Sequence, residues 1–273
     1  MATQATISFD LDGVLIQNPF AKGVGPRVRA HIRQAQALAG LETCEADRRI
    51  NDAVRSAWGA RMAAGDFVRA YDWDDIYSHV SHDFGGTDVP DIAGIVEACC
   101  REEGMIALLP GAKECLTELQ QAGFRLVAAT NGYHAYQWPV LAALGIADFF
   151  DELLSPDRVG HAKPDPRFFA GIPGLRTHVG DTLVHDVLGA NMAGVQAIWL
   201  SSELPDELDD LSPRARVAND GFERYLEQAL ERTPYREYHP EATVVTCRPS
   251  AVVKDAREVP RAVLQLAGMP AGA

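Results

Sequence analysis

Apolar runs typical of buried strands occur at the start of the chain and again in its second half. Residues 5–11 form a short apolar run that ends in Asp10-Leu11-Asp12-Gly13, which predicts a buried strand and a turn. From Pro110 onward, helical segments alternate with the apolar runs FRLVAAT, RTHVGD and VQAIWL. Strands that are apolar throughout are typical of a parallel sheet covered on both faces. The alternation therefore predicts an α/β fold with a doubly wound parallel sheet.

The stretch between these two parts has a different pattern. From about Pro26 to Arg101 the apolar residues recur with helical spacing, several glycines mark predicted helix ends, and no run predicts a strand. Because this stretch lies between the first two strands, we predict an inserted all-helical domain over residues 17–105. The core is then predicted to comprise residues 1–16 and 106–273.

The pattern is less regular near the C-terminus, where residues 201–249 are predicted to be an insertion in the core. LPDELDDLSP is predicted to be an acidic loop and GFERYLEQALER an amphipathic helix. ATVVTC and SAVVKD are candidate strands, VPRAVLQLAG is a closing helix, and residues 269–273 are predicted to be a frayed tail.

Composition excludes several classes of partner. Of 273 residues, 47% are hydrophobic, so the chain can bury a sizeable core without a disulfide or structural metal. The formal net charge of −13 makes nucleic acid and anionic membrane poor partners, and an anionic substrate would need a local cation or a metal ion. For the oligomeric state, we expect a monomer or a homodimer.

The cysteines and the N-terminus indicate a reducing compartment. The five cysteines are odd in number and form no C-x-x-C motif, which argues against a disulfide framework and a zinc site. The N-terminus lacks the basic and apolar regions of a signal peptide, and no apolar run reaches the length of a membrane span. We therefore expect a cytoplasmic protein without a membrane partner.

Two carboxylates follow the first predicted strand. Asp10 and Asp12 are two residues apart, and side chains at that spacing on an extended segment point to the same side. An ionised carboxylate can attack phosphorus, while a neighbour whose pKa is raised by the like charge can hold a proton for the leaving group. The pair alone is also compatible with chance, since Asp72 and Asp74 form a second D-x-D without such a strand.

Further polar groups follow later strands, where ligands gather in parallel α/β sheets. Thr130 and Asn131 follow FRLVAAT and offer a hydroxyl and backbone N–H groups to an anion, although this motif taken alone favours Thr130 as the cap of a strand-to-helix turn. Lys163 precedes Pro164, which favours an extended residue before it. It is either a fixed cation that neutralises a substrate or a surface lysine before a helix capped by Asp165.

Two acids complete the set. Asp181 ends the strand RTHVGD, and Asp186 follows five residues later. Acids facing Asp10 and Asp12 would repel them unless a cation lies between, and oxygen-only ligands suit Mg²⁺. Alternatively, Asp181 is an N-cap and Asp186 a helix-surface acid. The joint order, with each group after a buried strand or in its loop, predicts one site.

These segments resemble the motifs of haloacid dehalogenase-like hydrolases. FDLDGV, ATNG, KPDP and GDTLVHD are similar to the family's four motifs in order and spacing over residues 7–200. The helical stretch after the first motif resembles the family's first-type cap, whereas residues 201–249 depart from the family pattern. The resemblance implies a Rossmann-like core and a Mg²⁺-dependent phosphatase that hydrolyses a small phosphorylated metabolite through an aspartyl-phosphate.

The resemblance also implies roles for the motif residues. Asp10 would be the nucleophile, and Asp12 the general acid and then the general base. Thr130, Asn131 and Lys163 would bind the phosphoryl group.

A Mg²⁺ ion would, by the same likeness, be held by Asp10, by the backbone carbonyl of Asp12 and by Asp181. Asp186 would be a further ligand or would support the ligands from behind. Members that release halide or cleave phosphonates lack an acid at the position of Asp12, so its presence favours phosphate esters. Val14 stands where the family often has Thr.

Two other functions stay open at this point. A phosphomutase of the β-phosphoglucomutase kind shares all four motifs, and a non-catalytic binding module is less favoured because every catalytic residue type is present. A cap over the site favours a small metabolite over a phosphoprotein. Its aromatic and histidine residues are candidates for substrate contact, although such residues at helical spacing are commonly core; they are Trp58, Tyr71, Trp73, Tyr77, His79 and His82. Four more residues lie near the motifs, namely Asn18, Lys22, Arg27 and His134.

Overall fold

A six-stranded parallel sheet forms the core of the computed structural model, which describes residues 4–269. Its strands are β1 (Thr6–Phe9), β4 (Arg125–Ala129), β5 (Glu152–Leu154), β6 (Leu175–Gly180), β7 (Gln196–Leu200) and β8 (Ala251–Val253). They lie in the order β5-β4-β1-β6-β7-β8. Two short strands, β2 (Ile16–Gln17) and β3 (Ala107–Leu108), form a separate antiparallel pair.

Helices fill the connections between these strands. Between β2 and β3 lie α1 (Gly25–Ile32), α2 (Thr43–Ala63), α3 (Trp73–Asp83) and α4 (Ile92–Cys99). Between β3 and β7 lie α5 (Ala112–Gln121), α6 (His134–Ala143), α7 (Pro156–Val159) and α8 (Gly189–Met192), the last preceded by a π-helical turn over Leu183–Leu188. After β7 follow α9 (Asp206–Asp209), α10 (Pro213–Ala218), α11 (Phe222–Arg232) and α12 (Val259–Leu266).

The direction of the chain across the sheet fixes where a ligand can bind. From the central strand β1 the chain passes to β4 and β5, and it then returns to β6 on the other side of β1. Every residue of β1 is buried, because helices cover both faces of the sheet. Ligands of such sheets bind at the carboxyl ends of the strands where the order reverses. The predicted doubly wound parallel sheet is confirmed.

The helices α1 to α4 leave the core and return to it at one place. β2 and β3 pair Ile16 with Leu108 and Gln17 with Ala107, so the two connections run side by side. We propose that residues 17–105 form a cap, and we use that name for them below. None of the described helices has the length and apolarity needed to cross a membrane.

Residues 201–249 connect β7 to β8, and we call them the 201–249 segment. Two expectations for it were wrong. The acidic loop contains the one-turn helix α9, and ATVVTC forms a turn instead of a strand. In that turn Thr246 Oγ1 accepts the Thr243 N–H (2.8 Å) and the Cys247 N–H donates to the Thr243 carbonyl (2.9 Å). Threonine hydroxyls near the backbone thus satisfy groups that a strand would otherwise pair. Within the predicted frayed tail, residues 270–273 lie outside the described residues.

A buried arginine joins the 201–249 segment to the core. Arg216 of α10 is 1% exposed and forms an ion pair with Glu258. It also donates to the carbonyls of Leu208 (3.0 Å), Asp209 (2.9 Å) and Val252 (3.0 Å). These carbonyls belong to both the segment and β8, so one side chain holds the crossover to the sheet.

Replacing this arginine is expected to destabilise the fold. Arg216→Met should lower the free energy of unfolding by about 3 kcal/mol, because it leaves buried carbonyls and one carboxylate without their partner. Chemical denaturation measures this. Arg214→Met, in an exposed position of the same helix, is the control and should change stability by no more than about 0.5 kcal/mol. Equal effects of the two substitutions would contradict this assignment.

Candidate active site

A cavity of about 410 Å³ lies at the carboxyl ends of β1, β4 and β6. It collects all the residues that the four sequence motifs single out, which are Asp10, Asp12, Thr130, Asn131, Lys163, Asp181 and Asp186. The structure thus brings these distant segments together at one cavity, as the order of the motifs predicts.

A buried lysine lies between two carboxylates on the floor of the cavity. Lys163 is 2% exposed, and its Nζ lies 2.9 Å from Asp10 Oδ1 and 2.6 Å from Asp186 Oδ1. Burial lowers the pKa of the Lys163 ammonium, but the two carboxylates outweigh this effect and raise it. The lysine is thus held as a cation, and the alternative of a surface lysine is wrong. The predicted cap of the following turn is present, since Asp165 accepts the Arg167 N–H (2.9 Å).

Asp186 is held from several sides. Its Oδ1 accepts from Lys163 and from His178 Nε2 (3.1 Å), and its Oδ2 accepts the Thr182 N–H (2.9 Å). Burial favours a higher pKa of Asp186, but the charges of Lys163 and the hydrogen bond from His178 lower it. Gly180 makes this packing possible, because a Cβ there would lie 2.1 Å from Asp186 Cγ. Asp186 is 1% exposed and is not a helix-surface acid.

Three carboxylates come close together beside this lysine. One oxygen from each of Asp10, Asp181 and Asp186 lies within 4.8 Å of the others. Burial, followed by the charges of the other two acids, raises the pKa of Asp181 to about 8. Burial also raises the pKa of Asp10 to about 6, although Lys163 opposes the shift. The cluster therefore favours uptake of positive charge.

Asp12 lies apart from this cluster. Its Oδ1 accepts the Asn18 N–H (3.1 Å), and burial raises its pKa. Gly13, at φ +80°, lets the loop approach Asp181 closely, since a Cβ at Gly13 would lie 2.3 Å from Asp181 Oδ2. The Asp12 carboxylate is not part of the three-acid cluster, which is compatible with the expectation that a metal would meet its backbone carbonyl.

Thr130 and Asn131 differ in what their side chains do. Thr130 Oγ1 accepts the Gly132 N–H (3.1 Å), and α6 begins only at His134, so the threonine closes a turn before the helix. Asn131 Oδ1 accepts the Lys163 N–H (2.8 Å), and its Nδ2 donates to the Lys163 carbonyl (3.0 Å). Asn131 thus fixes the backbone of the lysine.

Two polar strand residues support the site from inside the sheet. Ser8 of β1 and His178 of β6 are cross-strand partners, and Ser8 Oγ lies 2.8 Å from His178 Nδ1. Burial lowers the pKa of His178, so the ring is neutral and donates through Nε2 to Asp186 while Nδ1 accepts from Ser8. Our sequence analysis missed both residues, although polar residues in otherwise apolar strands were a visible signal.

Aromatic residues form another part of the cavity wall. Phe20 and Trp73 of the cap and Tyr136 of α6 line the cavity, with ring centroids 6.2 Å apart for Phe20 and Trp73 and 5.8 Å apart for Phe20 and Tyr136. Tyr71 of the cap also lines it, and its hydroxyl accepts from Asn131 Nδ2 (3.0 Å). Asp74 accepts the Tyr136 hydroxyl (2.7 Å), so the second D-x-D has a structural role between cap and core.

The remaining candidates divide between the cavity and the surface. Of these, Asn18, Tyr71 and Trp73 line the cavity. The others do not line it, and all of them except Lys22 have another contact. Arg27 pairs with Glu102, His79 with Asp83 and His82 with Asp88. Tyr77 packs on Trp73, His134 stacks on Trp138, Trp58 contacts Tyr235, and Lys22 is exposed.

Several residues that line the cavity were not among the candidates from the sequence, and Gln137, His185 and Tyr235 are three of them. Gln137 is 4% exposed, and its Oε1 has no hydrogen-bond partner among the described residues. His185 lies 3.3 Å from the Tyr71 hydroxyl, and burial lowers its pKa to about 3, so the ring is neutral. Tyr235 comes from the 201–249 segment.

Proteins of known function are similar in sequence to part of this chain. A phosphoserine phosphatase from Thermus thermophilus is 37% identical over 143 residues, which cover 50% of this chain and 57% of that protein. A glyceraldehyde 3-phosphate phosphatase from Methanothermobacter thermautotrophicus is 38% identical over 104 residues (36% and 46%). A pyrimidine 5′-nucleotidase from Escherichia coli is 32% identical over 119 residues (41% and 52%). The matched region thus spans about half the length of these relatives.

Solved structures share the fold. A HAD phosphatase from Thermococcus onnurineus superposes with a TM-score of 0.57 at 23% identity, covering 74% of this chain and 88% of that one. The L-2-haloacid dehalogenase from Xanthobacter autotrophicus gives 0.54 at 19% identity, covering 95% and 98%. The sequence model of the haloacid dehalogenase-like hydrolases matches residues 5–172. Since that match covers more than half of the sequence, the chain belongs to the haloacid dehalogenase-like hydrolase family.

Proposed function

We propose that this protein is a Mg²⁺-dependent phosphatase that hydrolyses a small phosphorylated metabolite through an aspartyl-phosphate on Asp10. The observation that carries the proposal is the position of Asp10 at the floor of the cavity, 2.9 Å from the buried Lys163 ammonium and within the three-acid cluster. The phosphatase and nucleotidase relatives support the same class of reaction.

The donor set fits Mg²⁺. The cluster of Asp10, Asp181 and Asp186 offers only carboxylate oxygens, which this ion prefers. Because both oxygens of Asp186 already accept hydrogen bonds, we assign the direct contacts to Asp10, Asp181 and the backbone carbonyl of Asp12, and we assign Asp186 the positioning of Lys163. When bound, Mg²⁺ would offset the negative charge of the phosphate and of the acids.

The protein's own groups then account for positioning. The Lys163 ammonium neutralises charge on the phosphoryl oxygens and keeps Asp10 aligned for attack. The Thr130 hydroxyl and the Asn131 backbone N–H would bind further oxygens, and the Asn131 side chain keeps Lys163 in place. Most of the catalysis would therefore come from electrostatics and orientation.

Asp12 is assigned the proton transfers. Its raised pKa favours a carboxylic acid that protonates the departing alkoxide as Asp10 attacks phosphorus. The resulting carboxylate then takes a proton from water, and this water attacks phosphorus and displaces the Asp10 oxygen. The cycle ends with inorganic phosphate, and both aspartates return to their starting states.

The charges of the cavity favour a phosphatase over a phosphomutase. Lys163 is the one lysine or arginine among the described residues that line the cavity. Its ammonium is already paired with the carboxylates of Asp10 and Asp186. A sugar bisphosphate would bring a second phosphate without a second cation to meet it. The leaving group is therefore expected to carry no anionic group of its own.

A panel of phosphate esters tests this function. With Mg²⁺, the protein should release phosphate from pyrimidine 5′-nucleotides and glyceraldehyde 3-phosphate faster than from O-phosphoserine, whose leaving group carries a carboxylate. A bisphosphorylated hexose should yield little free phosphate and no isomer. Asp10→Asn should lower turnover at least about a thousandfold because the nucleophile is lost.

Asp88→Asn is the matched control for that substitution, because Asp88 lies on the surface and has an exposed side chain. Isomer formation from the bisphosphate would favour the mutase instead. Wild-type activity in a folded Asp10→Asn protein would refute the assignment of the nucleophile.

The proposed metal site should make the stability of the fold depend on pH. Without divalent ions, ionised Asp181 destabilises the fold, and since its pKa is raised to about 8 this cost is absent near pH 4 and complete above pH 8. Asp181→Asn should therefore stabilise the metal-free protein above pH 8 by about 1 kcal/mol or more, with the gain vanishing toward pH 4. Thermal unfolding in a chelator measures this.

Added Mg²⁺ should raise the melting temperature of the wild type and have much less effect on Asp181→Asn, because only the wild type keeps the complete donor set. Asp88→Asn removes the same charge at the surface and should respond to Mg²⁺ like the wild type. An equal response of all three proteins would place the ion elsewhere.

A further inference from the structure

The tip of the 201–249 segment lies across the cap, beside the cavity. We call residues 235–239 the tip. The Tyr238 hydroxyl packs on Gly59 of α2 so closely that a Cβ there would lie 2.9 Å from it. The Tyr238 ring meets Trp58 edge-on (5.6 Å between centroids), and His239 stacks on Phe67 (5.3 Å). The tip is thus fitted to the cap by three aromatic residues of its own, Tyr235 being the third.

Tyr235 extends from this tip into the cavity wall. Its ring stacks on His185 of the core at 4.8 Å and an interplanar angle of 15°. It also lies 4.9 Å from Trp58 of the cap. The ring of Tyr235, which belongs to the 201–249 segment, therefore contacts both the core and the cap. The same ring lines the cavity.

The backbone of Tyr235 is in an unusual conformation. Its φ is +74°, and among the described residues it is the one non-glycine residue with positive φ. A bulky side chain in the left-handed region costs free energy and persists where the surroundings hold it. Here the stacking on His185 and the tilted contact with Trp58 stabilise this conformation, so the ring stays at the cavity instead of in solvent.

We propose that Tyr235 is the specificity-determining residue that limits the size of the leaving group. The inference rests on the proposed phosphatase function, because it concerns what lies beyond the phosphoryl group. Phe20, Trp73 and Tyr136 also line the cavity, so an uncharged ring is the chemical group that its aromatic part suits. The ring of Tyr235 closes the space into which a larger leaving group would extend.

Two aryl esters that differ by one fused ring test this limit. The kcat/KM values for phenyl phosphate and 1-naphthyl phosphate are measured with Mg²⁺ for the wild type and for Tyr235→Gly. Glycine removes the ring and adopts a positive φ without strain, so the backbone conformation stays accessible to the variant. The ratio of kcat/KM for naphthyl over phenyl phosphate should rise about tenfold, because added space favours the larger group selectively.

Two control variants separate this role from a structural one. Tyr235→Phe keeps the ring and should keep the wild-type ratio. Tyr238→Ala removes a ring of the same tip that packs on the cap and does not line the cavity, and it should change the ratio by less than about twofold. Circular dichroism and thermal unfolding establish that each variant is folded.

The outcomes distinguish this inference from the proposed function. If the wild type releases no phosphate from either ester, the phosphatase proposal itself fails. If the wild type is active and folded Tyr235→Gly keeps the wild-type ratio, Tyr235 does not set the limit. An equal rise of the ratio in Tyr238→Ala would likewise overturn the proposal, since the effect would then belong to docking of the tip.

Discussion

A single ammonium group between two carboxylates determines how this site is organised. Charges about 4 Å apart interact by about 4 kcal/mol at the effective dielectric of a protein, while each buried ion loses several kcal/mol of hydration. Lys163 therefore stays buried and charged only because Asp10 and Asp186 both contact it. Asp186 in turn depends on His178, and His178 on Ser8. A chain of polar contacts thus runs from inside the sheet to the proposed nucleophile.

Such a chain explains why the fold and the site are hard to separate. Removing any member leaves a buried polar group without a partner, which costs more than the contact itself contributes. The same arrangement makes ionisation of Asp181 unfavourable, and a divalent cation would remove this cost. The fold thus tolerates electrostatic repulsion at the place where the proposed chemistry needs a cation and a phosphate to meet.

The sequence predicted the parts of this arrangement that follow local rules. Alternating apolar strands and helices indicate the parallel sheet, and residues at the carboxyl ends of its strands meet by topology, as Asp10 and Asp181 do. Contacts between segments distant in sequence had no local signal. In the sequence Arg216 cannot be distinguished from an exposed helix arginine, whereas in the structure Glu258 and three carbonyls surround it. Tyr235 lies in no recognisable sequence motif. In ATVVTC, threonine hydroxyls outweighed a strand-like pattern.

The most direct test of the account is to locate the phosphoryl group on the protein. In Asp12→Asn the attack on an activated aryl phosphate needs no acid, whereas hydrolysis of the intermediate lacks its base, so the phosphorylated enzyme should accumulate. Acid quenching followed by peptide mass spectrometry should find a hydroxylamine-sensitive phosphoryl group on Asp10. Phosphorylation of another residue, or stoichiometric release of the aryl alcohol without any phosphorylated peptide, would contradict the account.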